Sequence, residues 1–390
     1  MSKNLSVFNY GQTKVIFGRN SIQEIITEMN RLSIMKPLIV TDEQLYQNKI
    51  LDPLIQQFEK ENVAFMLFDK VTPDPISSLV DNGVAVLKEN ACDGVIGIGG
   101  GSVMDCAKCI AAMCTNSGVL LDYDHANKNY KNFENVILPL INIPTTSGTG
   151  SEVSPYAVIT NEKEHRKATI GSPLLISSVA LLDPIFIDHL PPKATASTGM
   201  DALTHCIEAY TSINSLNNSN PIIDALALKG IELIYTSLLQ AYSNSEKKAR
   251  ERVLWGSLIG GIVLQYGSGA SHGLGNVLGG ELHVPHGTAV GMLLPHVIAF
   301  NYDACEERYK DIAKAMHLSC KDDNVKKSIV DSLQTLLDKM DFPVFQDYCN
   351  DIEKIKKLST LAVIDKCTRI NAKKVNEEDA YNIYQYAMMR

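Results

Sequence analysis

The chain has 390 residues, of which 45% are hydrophobic and 21% charged, and its formal net charge is −8. That length exceeds what one hydrophobic core ordinarily serves, so two domains are expected. The acidic balance, with no local basic patch, argues against nucleic acid or an anionic membrane as the principal partner.

Met1–Ser6 lacks the apolar core of a signal peptide, and the elements begin after it. Val15–Phe17 reads as a strand, with a helix from about Ser21. Pro37–Val40 is a second apolar run, followed by a helical pattern over 43–58 and another strand at Val63–Phe68. A helix over 76–90 leads into the Asp93–Ile98 strand, a glycine triplet and a further helix. Val136–Ile143 is the next strand, and Tyr156–Thr160 and Val179–Leu182 complete the set. This alternation predicts a parallel sheet flanked by helices. Pro184 and Pro191-Pro192 punctuate a change of character, beyond which strand signals nearly vanish. Helical patterns then run over Thr195–Thr211, Ile222–Ser243 and Arg250–Gly267. We therefore expect an α/β dinucleotide-binding domain over 1–185 and an all-helical metal and substrate domain over 186–390.

The most apolar window, Val253–Leu264, is too short and too glycine-broken to span a bilayer. The nine cysteines are odd in number and scattered, several in apolar helical stretches, as free thiols in a reducing compartment would be. Cys106 and Cys109 form a C-x-x-C with no second pair to complete a zinc site. A cytoplasmic location is expected.

Gly97-Ile-Gly-Gly-Gly-Ser102 lies between a strand and a helix. Glycines let a phosphate approach the backbone, and the helix start offers unpaired N–H groups. The run is neither the G-x-G-x-x-G fingerprint nor a P-loop, and a plain strand-to-helix turn is the competing reading. Thr145-Thr-Ser-Gly-Thr-Gly-Ser151 adds hydroxyls and flexible amides after the next strand, where open α/β sheets bind ligands. Asp42 ends the Pro37–Val40 strand and suits ribose hydroxyls while repelling a 2′-phosphate, which favours NAD over NADP; it also fits a helix cap.

In the second half, Asp201 and His205 are four apart, so on a helix they share a face. His272 and His286 follow in Gly- and Leu-rich surroundings that offer a polar group no other partner. One carboxylate and three imidazoles make a donor set for a divalent transition metal. Four protein ligands plus a substrate oxygen suit Fe(II) better than zinc, although Zn(II) competes on affinity.

Gly99-Gly-Gly-Ser102 with Asp105, Pro144-Thr-Thr146 with Gly148, Gly199-Met-Asp-Ala-Leu-Thr-His205, His272…His286-Gly287 and Leu294-Pro-His296 together resemble the iron-containing (group III) alcohol dehydrogenases over nearly the whole chain. The resemblance implies a dehydroquinate synthase-like architecture and NAD(H)-linked interconversion of a small alcohol and an aldehyde. It places the metal ligands at Asp201, His205, His272 and His286, and the phosphate loop at Gly99, Gly100, Gly101 and Ser102 with Asp105. Further cofactor contacts would come from Asp42, Asp74, Thr145, Thr146, Thr149 and Lys167, and the default assembly is a homodimer or higher homo-oligomer. There is one departure. Where family members often carry a second histidine, four residues past the first, this chain has Asn276, which cannot act as a base near neutral pH but can hold water, cofactor or substrate. The proton route and the substrate stay open, including a hydroxy- or sulfo-substituted aldehyde. A metal- and NAD-dependent lyase of the dehydroquinate synthase type is the rival reading, disfavoured by the few basic residues near the ligand motifs.

Overall fold

The computed structural model describes residues 11, 13–164, 166–243, 246–319 and 324–389. The Met1–Ser6 segment and Cys320 lie outside them. The described residues divide by their contacts into two units, one of 11–146 with 150–190 and one of 191–389 with 147–149.

The first unit holds eight strands: β1 Lys14–Phe17, β2 Pro37–Val40, β3 Met66–Phe68, β4 Gly94–Gly99, β5 Leu140–Pro144, β6 Tyr156–Asn161, β7 Arg166–Gly171 and β8 Val179–Leu182. Six form one sheet in the order β1-β8-β5-β4-β2-β3, every pair parallel. All residues of β2, β4, β5 and β8 are buried, as continuous apolar runs covered on both faces must be. The helix Gly101–Thr115 lies so close to β4 that a Cβ on Gly97 would come within 2.8 Å of the Ala107 methyl. One on Gly99 would come within 2.6 Å of Val103, so both positions need glycine. Cys106 and Cys109 on this helix are buried free thiols; burial pushes the Cys106 thiol up to about 12 and Cys109 well above its ordinary value. Neither forms a reactive thiolate.

Several boundaries differ from the sequence reading. The strand expected from Val136 begins only at Leu140, because Pro139 has no N–H for a ladder and Val136 is exposed. The strand expected from Val63 begins at Met66. The helix expected over 43–58 is two, Glu43–Gln47 and Asp52–Lys60, separated by Lys49 in a left-handed conformation and restarted at Pro53. The Tyr156 strand does not join the sheet but pairs antiparallel with β7, a strand the reading had not found.

The second unit is helical. Its elements include Pro192–Thr211, Pro221–Tyr235, Leu238–Ser243, Lys247–Val263, Ala270–Leu282 and His286–Asn301, around a core containing Leu203, Ile231, Leu274, Leu293 and Tyr384. The helix expected over Ile222–Ser243 breaks at Thr236-Ser237, whose hydroxyls bind Arg252. Buried Asn301 and Asn371 exchange hydrogen bonds of 2.8 and 2.7 Å, and Asn371 Oδ1 also accepts from the Ala270 N–H, fixing the start of the helix that carries His272. Among the described residues no helix is long and apolar enough to cross a membrane.

Candidate metal centre and cofactor loops

Three helices of the second unit bring the four predicted ligands together. Asp201 and His205 lie one turn apart on Pro192–Thr211, His272 is the third residue of Ala270–Leu282, and His286 opens His286–Asn301. Asp201 Oδ1 is the hub, with the Nε2 atoms of His286, His272 and His205 at 3.4, 3.6 and 3.9 Å. Asp201, His272 and His286 each offer a donor atom within 4.8 Å of the other two. His205 is tied to this group through Asp201 and by stacking on His272, ring centroids 4.6 Å apart.

These separations are longer than the usual N–H···O hydrogen bond. Two donors each about 2.1 Å from a shared ion stand roughly 3.0–3.5 Å apart at octahedral or tetrahedral angles, so the His286 separation matches two ligands of one ion, and the His272 and His205 separations lie just beyond that window. Asp201 Oδ1 and His272 Nε2 are buried with no hydrogen-bond partner among the described residues, an arrangement costly unless something lies between them. The donor set therefore fits a divalent cation.

The electrostatics agree. Burial would raise the Asp201 pKa, but His205 and His286 hold its carboxyl well below the usual range. Burial pushes His205 down to about 4, which keeps its imidazole neutral. Burial alone would lower His272 too, but the Glu208 and Asp201 carboxylates carry it up to about 10. A position that attracts a proton so strongly is one where a cation is welcome.

Glu208 went unnoticed in the sequence as a site residue. Its Oε2 lies 2.6 Å from His272 Nδ1, its Oε1 accepts from the Ser271 N–H at 2.6 Å, and Ser268 donates to Oε2 at 3.2 Å. The carboxylate thus holds the far side of the ring and turns Nε2 toward Asp201. The signal was present: Asp201, His205 and Glu208 follow an i, i+4, i+7 pattern along one helix face.

In the sheet unit, Gly99 of β4 pairs with Pro144 of β5, so the two predicted loops leave the sheet side by side. The Thr145 N–H donates to the Gly99 carbonyl at 2.9 Å, and Thr146 lies against Gly100. Gly101 and Ser102 form the first helical turn, whose leading N–H groups have no intrahelical acceptor.

Family models describing an iron-containing alcohol dehydrogenase and its C-terminal domain match residues 12–184 and 195–388 respectively. The chain belongs to the iron-containing alcohol dehydrogenase family. It is accordingly an oxidoreductase of NAD(H)-linked alcohol and aldehyde chemistry. Among its relatives, a choline dehydrogenase from Bacillus subtilis is 35% identical over 377 residues, covering 95% of this chain and 92% of the relative. A crystal structure of a 1,3-propanediol oxidoreductase superposes with a TM-score of 0.91 at 31% identity, covering 98% of this chain and 100% of that one. A sulfoacetaldehyde reductase from Bifidobacterium kashiwanohense in complex with NAD+ gives 0.89 at 27%, covering 98% and 99%.

Other residues that the family resemblance singles out have these surroundings. Asp42 caps the Glu43–Gln47 helix, Oδ1 accepting from the Leu45 N–H at 2.8 Å, which is the helix-cap role its sequence position allowed. Asp74, in a left-handed conformation, pairs with Lys167 of β7, and both are exposed. Asp105 is committed within the sheet unit: Oδ1 accepts from Ser151 at 2.5 Å and lies 3.5 Å from the buried Lys108 ammonium, and Oδ2 accepts from the Val158 N–H at 2.8 Å. Thr149 belongs by its contacts to the helical unit, next to Gly148, where a Cβ would meet the Thr198 backbone at 2.9 Å. Asn276 lies one turn beyond His272 and donates to Asp365 at 3.3 Å. His283 ends its helix in a left-handed conformation and is exposed.

Proposed function

We propose that this enzyme reduces a small aldehyde with NADH, and oxidises the corresponding alcohol with NAD+, at a divalent metal held by Asp201, His205, His272 and His286. The observation that carries this is the convergence of three imidazole Nε2 atoms on Asp201 Oδ1, with Asp201 Oδ1 and His272 Nε2 buried and lacking a hydrogen-bond partner among the described residues. A bound Fe(II) or Zn(II) supplies Lewis acidity toward the carbonyl oxygen. The protein's own part is to hold four donors in place through three helices, to fix the His272 ring through Glu208, and to keep His205 neutral by burial. We assign the phosphates of NAD to Gly99, Gly100, Gly101, Ser102, Thr145, Thr146 and Thr149, the adenosine ribose to Asp42, and further cofactor contacts to Asp74 and Lys167. Asp105 contributes by bracing the loop against Ser151 and Val158. In this reading 1–185 is the cofactor domain and 186–390 the metal and substrate domain. We place the enzyme in the cytoplasm as a homo-oligomer; the buried free thiols support a reducing compartment.

Anaerobically purified protein should oxidise NADH with small aldehydes, lose that activity to a chelator and regain it with one added metal. Activity indifferent to chelation, with no metal bound, would overturn the four-ligand assignment. Asp42→Gly should raise the NADPH/NADH ratio of kcat/KM by about fivefold or more, since removing a charge some 4 Å from a phosphate relieves about 1 kcal/mol even in a water-like medium. Glycine at an N-cap costs only a few tenths of a kcal/mol, so the fold tolerates the change. An unchanged ratio would remove Asp42 from the ribose site.

A further inference from the structure

Asn276 lies four residues beyond His272 on the Ala270–Leu282 helix, on the same face and about 6 Å along the axis. Its Nδ2 donates to Asp365 Oδ2 at 3.3 Å. Asp365 is itself fixed, its Oδ1 accepting from the Cys367 N–H at 2.7 Å as it caps the Lys366–Arg369 turn. An ionised carboxylate only accepts, so the amide nitrogen of Asn276 must face it and the carbonyl Oδ1 must face away. That Oδ1 has no hydrogen-bond partner among the described residues, and Asn276 is partly exposed. Both Asp365 oxygens bond neutral N–H groups, which leaves its negative charge without a cationic partner in these contacts. One helical turn from His272, the protein therefore presents an element that accepts hydrogen bonds and carries negative charge.

We propose that the Asn276–Asp365 pair determines specificity: it selects substrates carrying a hydroxyl a few carbons from the reacting carbon and rejects those carrying a carboxylate or sulfonate there. The hydroxyl donates to Asn276 Oδ1, whereas an anion would offer acceptors to an acceptor and charge to a like charge. The substituent itself is unchanged: R–CH2OH and NAD+ give R–CHO, NADH and H+, the hydride passing from carbon to nicotinamide. This inference rests on the metal-site reading above, and its test separates the two.

Three alcohols of equal chain length make the probe: 1,4-butanediol, 1-butanol and 4-hydroxybutanoate. For each, kcat/KM is measured on the metal-loaded enzyme, and the dissociation constant by NMR saturation transfer on the same protein. The diol should exceed 1-butanol by about three- to tenfold, the worth of one hydrogen bond, with 4-hydroxybutanoate last. Asn276→Leu should bring the diol-to-butanol ratio to about 1, and Asp365→Asn, which can still cap the turn, should raise 4-hydroxybutanoate relative to 1-butanol. Equal binding of the three compounds by the unaltered protein, or ratios unmoved by both variants, would overturn the proposal. If none turns over while the diol still binds best and Asn276→Leu abolishes that preference, the pair stands and the alcohol dehydrogenase reading at this metal is what fails.

Discussion

Replacing His272 by alanine should yield a folded protein that retains no metal and has lost about a thousandfold or more in kcat/KM. His272 Nε2 is one of the donor atoms grouped within 4.8 Å, and its removal leaves Asp201 and His286 with only the more distant His205. Lewis-acid assistance is worth several kcal/mol, and each 1.4 kcal/mol is about tenfold in rate, which sets the size of the loss. Stability should fall modestly. The variant leaves the Glu208 carboxylate buried without its imidazole, at a cost of about 1–3 kcal/mol, but Ser271 and Ser268 still donate to it. The Asn301–Asn371 clamp on Ala270 is also untouched, so the helix keeps its start. Metal per chain by elemental analysis, thermal melting and NADH oxidation together check the expectation. Asp201→Asn, which keeps the side-chain shape, should show the same loss of metal. Normal turnover in either variant, or stoichiometric metal in both, would sink the ligand assignment.

The parts of the fold written in short-range pattern were readable, and those written in tertiary partnership were not. Buried parallel strands such as Pro37–Val40 and Val179–Leu182 are continuous apolar runs, and no other local conformation explains them so well. Arg166–Gly171 escaped because two charged residues open it, although Ala168 and Ile170 alternate inward as an antiparallel strand requires. The break at Thr236-Ser237 depends on Arg252 from another helix, which no window around the break contains. The grouping of Asp201, His205, His272 and His286 as candidate ligands was legible because histidine and aspartate in apolar surroundings demand partners. Asp105 was legible as a motif position but not as a brace, since Ser151 and Val158 are distant in sequence. Asp42 shows a different limit: one carboxylate can cap a helix with one oxygen and meet a ligand with the other, and residue identity alone does not apportion them.

The second large effect should come from a residue that touches no metal. Glu208→Gln should lower affinity for Fe(II) or Zn(II) by about 10- to 100-fold, the usual consequence of losing the group behind a ligating histidine. The carboxylate accepts from His272 Nδ1 at 2.6 Å, which fixes the tautomer with Nε2 as the free donor and makes the ring a better ligand. A glutamine can still accept through its oxygen, so the ring is held but the charge is gone. Glu208→Ala should be worse on both counts, because it also strips the acceptor from the Ser271 N–H and Ser268. Burial works against ionisation of Glu208, yet His272 and the surrounding N–H groups keep its pKa below the ordinary value, so the carboxylate is charged across the neutral range. Metal affinity is measured by competition with a chelator of known strength, independently of turnover. At saturating metal, Glu208→Gln should recover much of its activity, whereas His272→Ala should not. Equal affinity in Glu208→Gln and the unaltered enzyme would reduce Glu208 to a packing role. Glu208→Asp gives the complementary test, since a shorter carboxylate that restored affinity relative to glutamine would identify charge, rather than length, as what the His272 ring requires.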